Sequence, residues 1–131
     1  MPRSGWPGII SAITKALNRS CAPRWTLTAR GHRLTRVEGG EAGTWDGDAV
    51  AALASAVEAE PRVTGVEGLP FVGGAIGYLG YELGRQIERL PATTVDDVGA
   101  PDLAVGWYDA ALLWDEAAGS GWIAGRPEAV A

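Results

Sequence analysis

Gly73, Gly74, Gly77 and Gly80 are the most suggestively spaced residues in this chain, because closely set glycines can present backbone amides to a phosphate. A dinucleotide loop needs its glycines in the turn between a strand and a helix. Here Ile76, Tyr78 and Leu79 interleave with them, and no Lys-Ser or Lys-Thr pair follows. The spacing fits a strand whose glycines admit a close backbone or a bulge. Beyond it, Tyr81 and Glu82 open a polar-sided segment with Arg85, Gln86, Glu88 and Arg89. Glu82 with Arg85 has surface ion-pair spacing, worth a few tenths of a kcal/mol. Tyr78 and Tyr81 are expected to bury their rings and hydrogen-bond their hydroxyls. His32 is the only histidine and has no ligand cluster around it in sequence, so a metal site is not expected. Cys21 has no neighbouring base to make it a nucleophile. Asp96-Asp97 and Asp115-Glu116 are pairs expected in solvated turns. Asp109 interrupts an apolar run and needs a partner, with Arg24 and Arg30 both in contention. None of these groups is assigned a catalytic role.

The elements that must hold these residues follow from periodicity. Ile9, Ile10, Ile13, Ala16 and Leu17 predict a short amphipathic helix to about Arg19, ended by Pro23. Trp25, Leu27 and Ala29 alternate with Thr26, Thr28 and Arg30, which predicts a half-buried strand. Gly31-His32 turns it into a second strand, His32 to Glu38. Glu38 to Gly47 reads as a glycine-rich loop, and Asp46 or Asp48 caps a helix to about Glu60. That helix has Val50, Leu53, Ala54 and Val57 as its apolar stripe. Phe71 to Leu79 predicts an apolar strand and Tyr81 to Leu90 a short helix. Leu103 to Trp114 predicts one long strand covered on both faces. Ala117 to Gly121 turns it back into Trp122-Ile123-Ala124, and the chain is expected to fray from Gly125.

The expected class is α+β, a mostly antiparallel sheet with helices on one side. The organisation expected is a loose segment 1–23 with a short helix, one domain over 24–125 and a frayed tail 126–131. At 131 residues, 47% hydrophobic and 21% charged, the chain has the composition of a globular domain. No apolar run approaches the roughly 20 residues of a membrane span, so no membrane partner is expected. A single cysteine points to a reducing compartment, the cytoplasm. Residues 1–36 carry +7 and the remainder −12, for a net −5. The basic start lacks a dense cluster or aromatic interleaving, so it reads as a solvated domain edge and not as a nucleic-acid arm.

One stretch goes further. Leu-Pro-Phe-x-Gly-Gly-Ala-x-Gly-Tyr-x-x-Tyr-Glu-Leu-Gly-Arg, from Leu69 to Arg85, is followed by Pro-Asp-Leu-Ala-Val-Gly-x-Tyr-Asp, from Pro101 to Asp109. This order resembles the N-terminal region of the chorismate-utilising synthases. Leu83-Gly84-Arg85 and Trp107-Tyr108-Asp109 look more like component I of aminodeoxychorismate synthase than anthranilate synthase. The similarity covers about Trp25 to Gly125 and is clearest over Leu69–Asp115. It implies that Pro70, Phe71, Gly73, Gly74, Gly77, Tyr78, Tyr81, Glu82, Arg85, Asp102 and Asp109 are structural or interdomain residues. It also implies half of a two-sheet core, with an apolar surface made for a second layer. In the complete family enzyme chorismate is aminated to 4-amino-4-deoxychorismate for para-aminobenzoate and folate, with ammonia from a glutamine amidotransferase subunit and Mg2+ on the substrate. By resemblance those catalytic groups belong to a C-terminal chorismate-binding region. This chain is therefore expected to be a non-catalytic domain or truncated fragment holding no cofactor and no turnover of its own. Anthranilate synthases bind tryptophan through a Leu-Leu-Glu-Ser-like strand. Ala16-Leu17-Asn18-Arg19-Ser20 is its nearest counterpart, with Arg19 for the glutamate and Ser20 as a remnant or a coincidence. The other readings are an anthranilate synthase regulatory fragment and a stand-alone binding module.

Overall fold

The computed structural model describes residues 22–61, 67–91, 93 and 95–126. The predicted helix over Ile9–Arg19, Cys21 and Ser20 lie outside the described residues, as does the tail beyond Arg126. The chain divides into two compact units: residues 24–61 with 75–107, and residues 67–74 with 108–126.

In the first unit, β1 (Trp25–Arg30) and β2 (Arg33–Glu38) pair antiparallel, with Arg30 opposite Arg33 across the Gly31-His32 turn. Gly31 has φ +52, which suits a two-residue hairpin loop opened by glycine. The stretch expected to be a loop is instead a strand, β3 (Glu41–Asp46), paired antiparallel with β2. Gly39 and Gly40, at φ +60 and +86, make the two-residue turn before it. All six β3 residues are exposed, so no apolar alternation marked the strand.

α1 (Ala49–Glu58) follows, capped by Asp48, whose Oδ1 accepts the Ala51 N–H at 2.8 Å. The expected apolar stripe is rotated. Ala49 and Ala56 are buried and Ala52, Leu53 and Val57 pack beside them, while Val50 and Ala54 face solvent. The alanines let the helix sit close to the sheet, so small residues form the seam. Asp48→Ala removes one N-terminal hydrogen bond and is expected to cost about 1 kcal/mol, read by urea denaturation.

The five-stranded sheet runs β3-β2-β1-β5-β4, with β4 (Gly74–Leu79) at one border and β5 (Leu103–Tyr108) inside it. β1 and β5 are antiparallel, placing Trp25 opposite Trp107, Leu27 opposite Val105 and Ala29 opposite Leu103. These six residues, Leu34, the α1 alanines and Leu83 form one buried cluster, so both helical segments cover one sheet face. Leu27, Leu34 and Leu103 are essentially solvent-free, each worth about 1.5–3 kcal/mol of burial. The α+β class with a mainly antiparallel sheet and helices on one side is what the structure has.

The long strand expected over Leu103–Trp114 is two strands. β5 ends at Tyr108, and β6 (Ala110–Asp115) pairs with β7 (Ser120–Gly125) in a separate sheet of the second unit. Asp109 stands at the break. β7 also extends beyond Trp122–Ala124, and Gly125 is held by pairing with Ala110. Nor is β6 covered on both faces: Trp114 is 62% exposed, and Leu112 and Trp122 are also exposed. The predicted strand from Phe71 begins only at Gly74, and the helix from Tyr81 is a 3-10 turn ending at Gln86.

Candidate functional site

The motif block builds the border of the five-stranded sheet and the loop beside it. Gly77 lies flat against β5: a Cβ there would stand 2.6 Å from Val105 Cα and 2.9 Å from the Ala104 carbonyl carbon. Gly80 is similarly tight, with 3.1 Å from the same kind of atom to the Asp102 carbonyl oxygen. Its N–H donates to that oxygen at 2.6 Å. Within the second unit, Gly73 has φ +132 and meets the Tyr108 carbonyl oxygen at 2.8 Å from a built Cβ, and Gly74 stacks under the Phe71 ring. The series lets backbones touch, and the Gly80 amide is spent on the Asp102 carbonyl. Pro70 is exposed beside these residues.

Asp102 joins three segments of the first unit. Its carboxylate accepts the Gly31 N–H at 2.6 Å, and its own N–H donates to the Ala29 carbonyl at 2.7 Å. Gln86 extends the tie, accepting from Ala49 N–H at 3.0 Å and donating to the Gly31 carbonyl at 2.5 Å. Tyr78 donates its hydroxyl to the Pro101 carbonyl at 3.0 Å, and Arg30 donates to the Gly99 carbonyl. Arg85 pairs with Glu82 and donates to the Leu90 and Pro91 carbonyls at 3.2 and 3.0 Å. The Glu82 hydrogen bond holds the Arg85 guanidinium above its ordinary pKa; desolvation opposes it, and the charges of Glu82 and Asp102 add to the rise. It stays a fixed cation clamping its own loop.

These groups line an open cleft of about 600 Å³ that includes His32, Tyr81, Asp96 and Asp97. Asp96 accepts from Gly99 N–H at 2.7 Å and so shapes the turn. Tyr81 departs from expectation: it is 82% exposed, because the 3-10 turn directs only Leu83 into the core. Tyr78 is also partly exposed although its hydroxyl is bonded. Among the described residues no three His, Cys, Asp or Glu side chains come together to hold a metal ion, and no helix is long and apolar enough to cross a membrane.

Asp109, in the second unit, has Arg126 Nη1 at 3.6 Å, while its carbonyl accepts the Arg126 N–H at 2.9 Å. Arg126 was not among the partners weighed from sequence. The same unit holds a groove of about 420 Å³ lined by Leu69, Pro70, Leu113, Trp114 and Trp122. A further group that sequence reasoning missed is Glu60. Its side chain is only 6% exposed, pairs with Arg24, and accepts the Trp25 indole N–H at 2.6 Å. Its polar neighbours in sequence gave no sign of burial.

No family model matches the chain. Sequence relatives are clear. Aminodeoxychorismate synthase component 1 of Escherichia coli (strain K12) is 42% identical over 94 residues, covering 71% of this chain and 21% of that protein. The Klebsiella aerogenes protein of the same name is 57% identical over 47 residues, 36% of this chain and 10% of that protein. An anthranilate synthase component 1 of Haloarcula marismortui is 36% identical over 73 residues, 56% of this chain and 15% of the relative. The chain therefore spans about a fifth or less of the curated relatives it matches. Anthranilate synthase component I from Streptococcus pneumoniae TIGR4 shares the fold, with a TM-score of 0.62 at 22% identity over 81% of this chain and 23% of that one. By these relatives, and by the motif order from Leu69 to Asp109, the chain belongs to the component I family of aminodeoxychorismate and anthranilate synthases.

Proposed function

We propose that these residues form the N-terminal, non-catalytic layer of an aminodeoxychorismate synthase component I. The observation that carries this reading is the 42% identity over 94 residues to the Escherichia coli protein. The exposed apolar side chains of β4 and of the β6–β7 hairpin support a role as one layer of a larger core. In this reading a C-terminal chorismate-binding region performs the amination, feeding para-aminobenzoate and folate synthesis in the cytoplasm. A glutamine amidotransferase subunit supplies ammonia. The described residues do not fit a Mg2+ site, since no donor cluster forms among them; in this reading Mg2+ belongs with the catalytic region. Motif residues such as Gly77, Gly80, Asp102 and Arg85 shape the layer and take no part in bond making.

The test is direct. The purified chain with chorismate, Mg2+ and ammonia should give no 4-amino-4-deoxychorismate by chromatography. Mixed with a separately expressed C-terminal region of an aminodeoxychorismate synthase component I, it should bind and increase that product. Turnover by the chain alone would overturn the non-catalytic assignment. The anthranilate synthase reading has the Haloarcula relative in its support. Saturable tryptophan binding in calorimetry, or anthranilate as the product, would select it.

A further inference from the structure

Two indoles of the β6–β7 hairpin stay in solvent, Trp114 at 62% and Trp122 at 41%, while the hairpin itself buries only Ala110 and Ala124. Both tryptophans border the groove that Leu69, Pro70 and Leu113 complete. Trp114 is not a loose side chain. It stands opposite Gly121, and its ring lies so close that a Cβ on that glycine would come within 2.8 Å of it. Gly121 is thus a seat for the indole. A large aromatic fixed before contact gives up little side-chain freedom on binding, and tryptophan is enriched among the few residues that dominate interfaces. The rim of the groove is acidic, with Asp115 and Glu116. Asp115 Oδ1 accepts the Ala117 and Ala118 amides at 2.9 and 3.0 Å and so fixes the turn, whereas Glu116 is exposed.

We propose that this groove is the principal anchor for the C-terminal region of component I, which lays an apolar segment flanked by Lys or Arg on Trp114 and Trp122. The inference rests on the layer reading given above and deepens it: the hairpin, and not the β4 border, carries most of the binding. Charge chooses the occupant. Two-fold pairing of the groove with a second copy would bring both Asp115-Glu116 rims to one contact, and like charges across an interface are costly. A partner with a cation at the margin of its apolar segment meets the same rim favourably. The matched stretch is 21% of the Escherichia coli relative, so most of that polypeptide remains to supply such a surface. Side-chain type chooses the site. β4 offers Ile76 and Leu79, and leucine is under-represented among the residues that dominate interfaces.

Calorimetric titration of the chain with a separately expressed C-terminal region of an aminodeoxychorismate synthase component I tests this. Trp114→Ala and Trp122→Ala should each weaken binding by about thirtyfold, and Ile76→Ala on β4 by less than about fivefold, with circular dichroism unchanged. Glu116→Lys leaves both indoles and the Asp115 turn in place, and serves where a tryptophan variant folds poorly. It should weaken binding by about fivefold and flatten the dependence on salt. Tryptophan variants that bind like the parent, or a β4 variant that loses more than they do, would overturn the anchor assignment alone. A Glu116→Lys protein with unchanged affinity would overturn the cationic partner. A parent chain that does not bind would remove the layer reading as well. Self-association of the chain in sedimentation velocity, abolished by Trp114→Ala, would put a second copy in the groove and overturn the proposal.

Discussion

Gly77→Ala is expected to destabilise the chain by about 3 kcal/mol or more, enough to leave much of it insoluble. The added carbon would meet main-chain atoms, Val105 Cα at 2.6 Å and the Ala104 carbonyl carbon at 2.9 Å, and not the tip of a flexible side chain. Relief requires moving β4 off β5, which breaks the ladder at the sheet border. Gly43→Ala is the contrasting case. Gly43 lies in β3 with nothing near a built Cβ and no left-handed backbone. That change should be neutral or add about 0.4–1 kcal/mol by restricting the unfolded chain. Urea denaturation of both variants checks the pair, and equal stabilities would contradict the close packing of β4 on β5.

Trp25→Ala should cost about 3–5 kcal/mol, the second large effect. Trp25 is fully buried, stacks on Trp107 with ring centroids 6.0 Å apart, and carries Arg36 4.8 Å above its ring. Its indole N–H also serves Glu60, whose carboxylate is nearly out of solvent. Trp25→Phe retains the stack and removes the donor, so it should lose about 1.5–3 kcal/mol, the range for a hydrogen bond to a charged group. The ordering Ala below Phe below parent separates packing from polar satisfaction. A Trp25→Ala protein within 1 kcal/mol of the parent would show that this side chain does not anchor the core.

The hairpin of β1 and β2 was legible because Trp25, Leu27 and Ala29 alternate cleanly up to a glycine-led turn. β3 was not, since a strand exposed on both faces has no period to read, although Gly39-Gly40 held the turn chemistry. The break at Asp109 hid inside an apolar run whose two halves both look like strand. Its carboxylate was recognisable as out of place, but Arg126 lies seventeen positions on and nothing local announces it. The helix stripe was misplaced by weighting Val50 over Ala49 and Ala56: bulk suggested the core face, whereas close packing on the sheet favoured alanine. For the motif block, glycine in a strand was enough to expect a close backbone. The atoms approached, and the ties made by Asp102, Gln86 and Glu60, depend on segments 35 to 71 positions apart and leave no mark in any short window.

The β3 border of the large sheet also sets a limit on growth. A filament propagates by adding a neighbour at each flank, and the Glu41 and Asp46 carboxylates at the two ends of β3 discourage one there. Concentrating the chain should therefore give no open-ended fibre growth through β3, which light scattering over time checks.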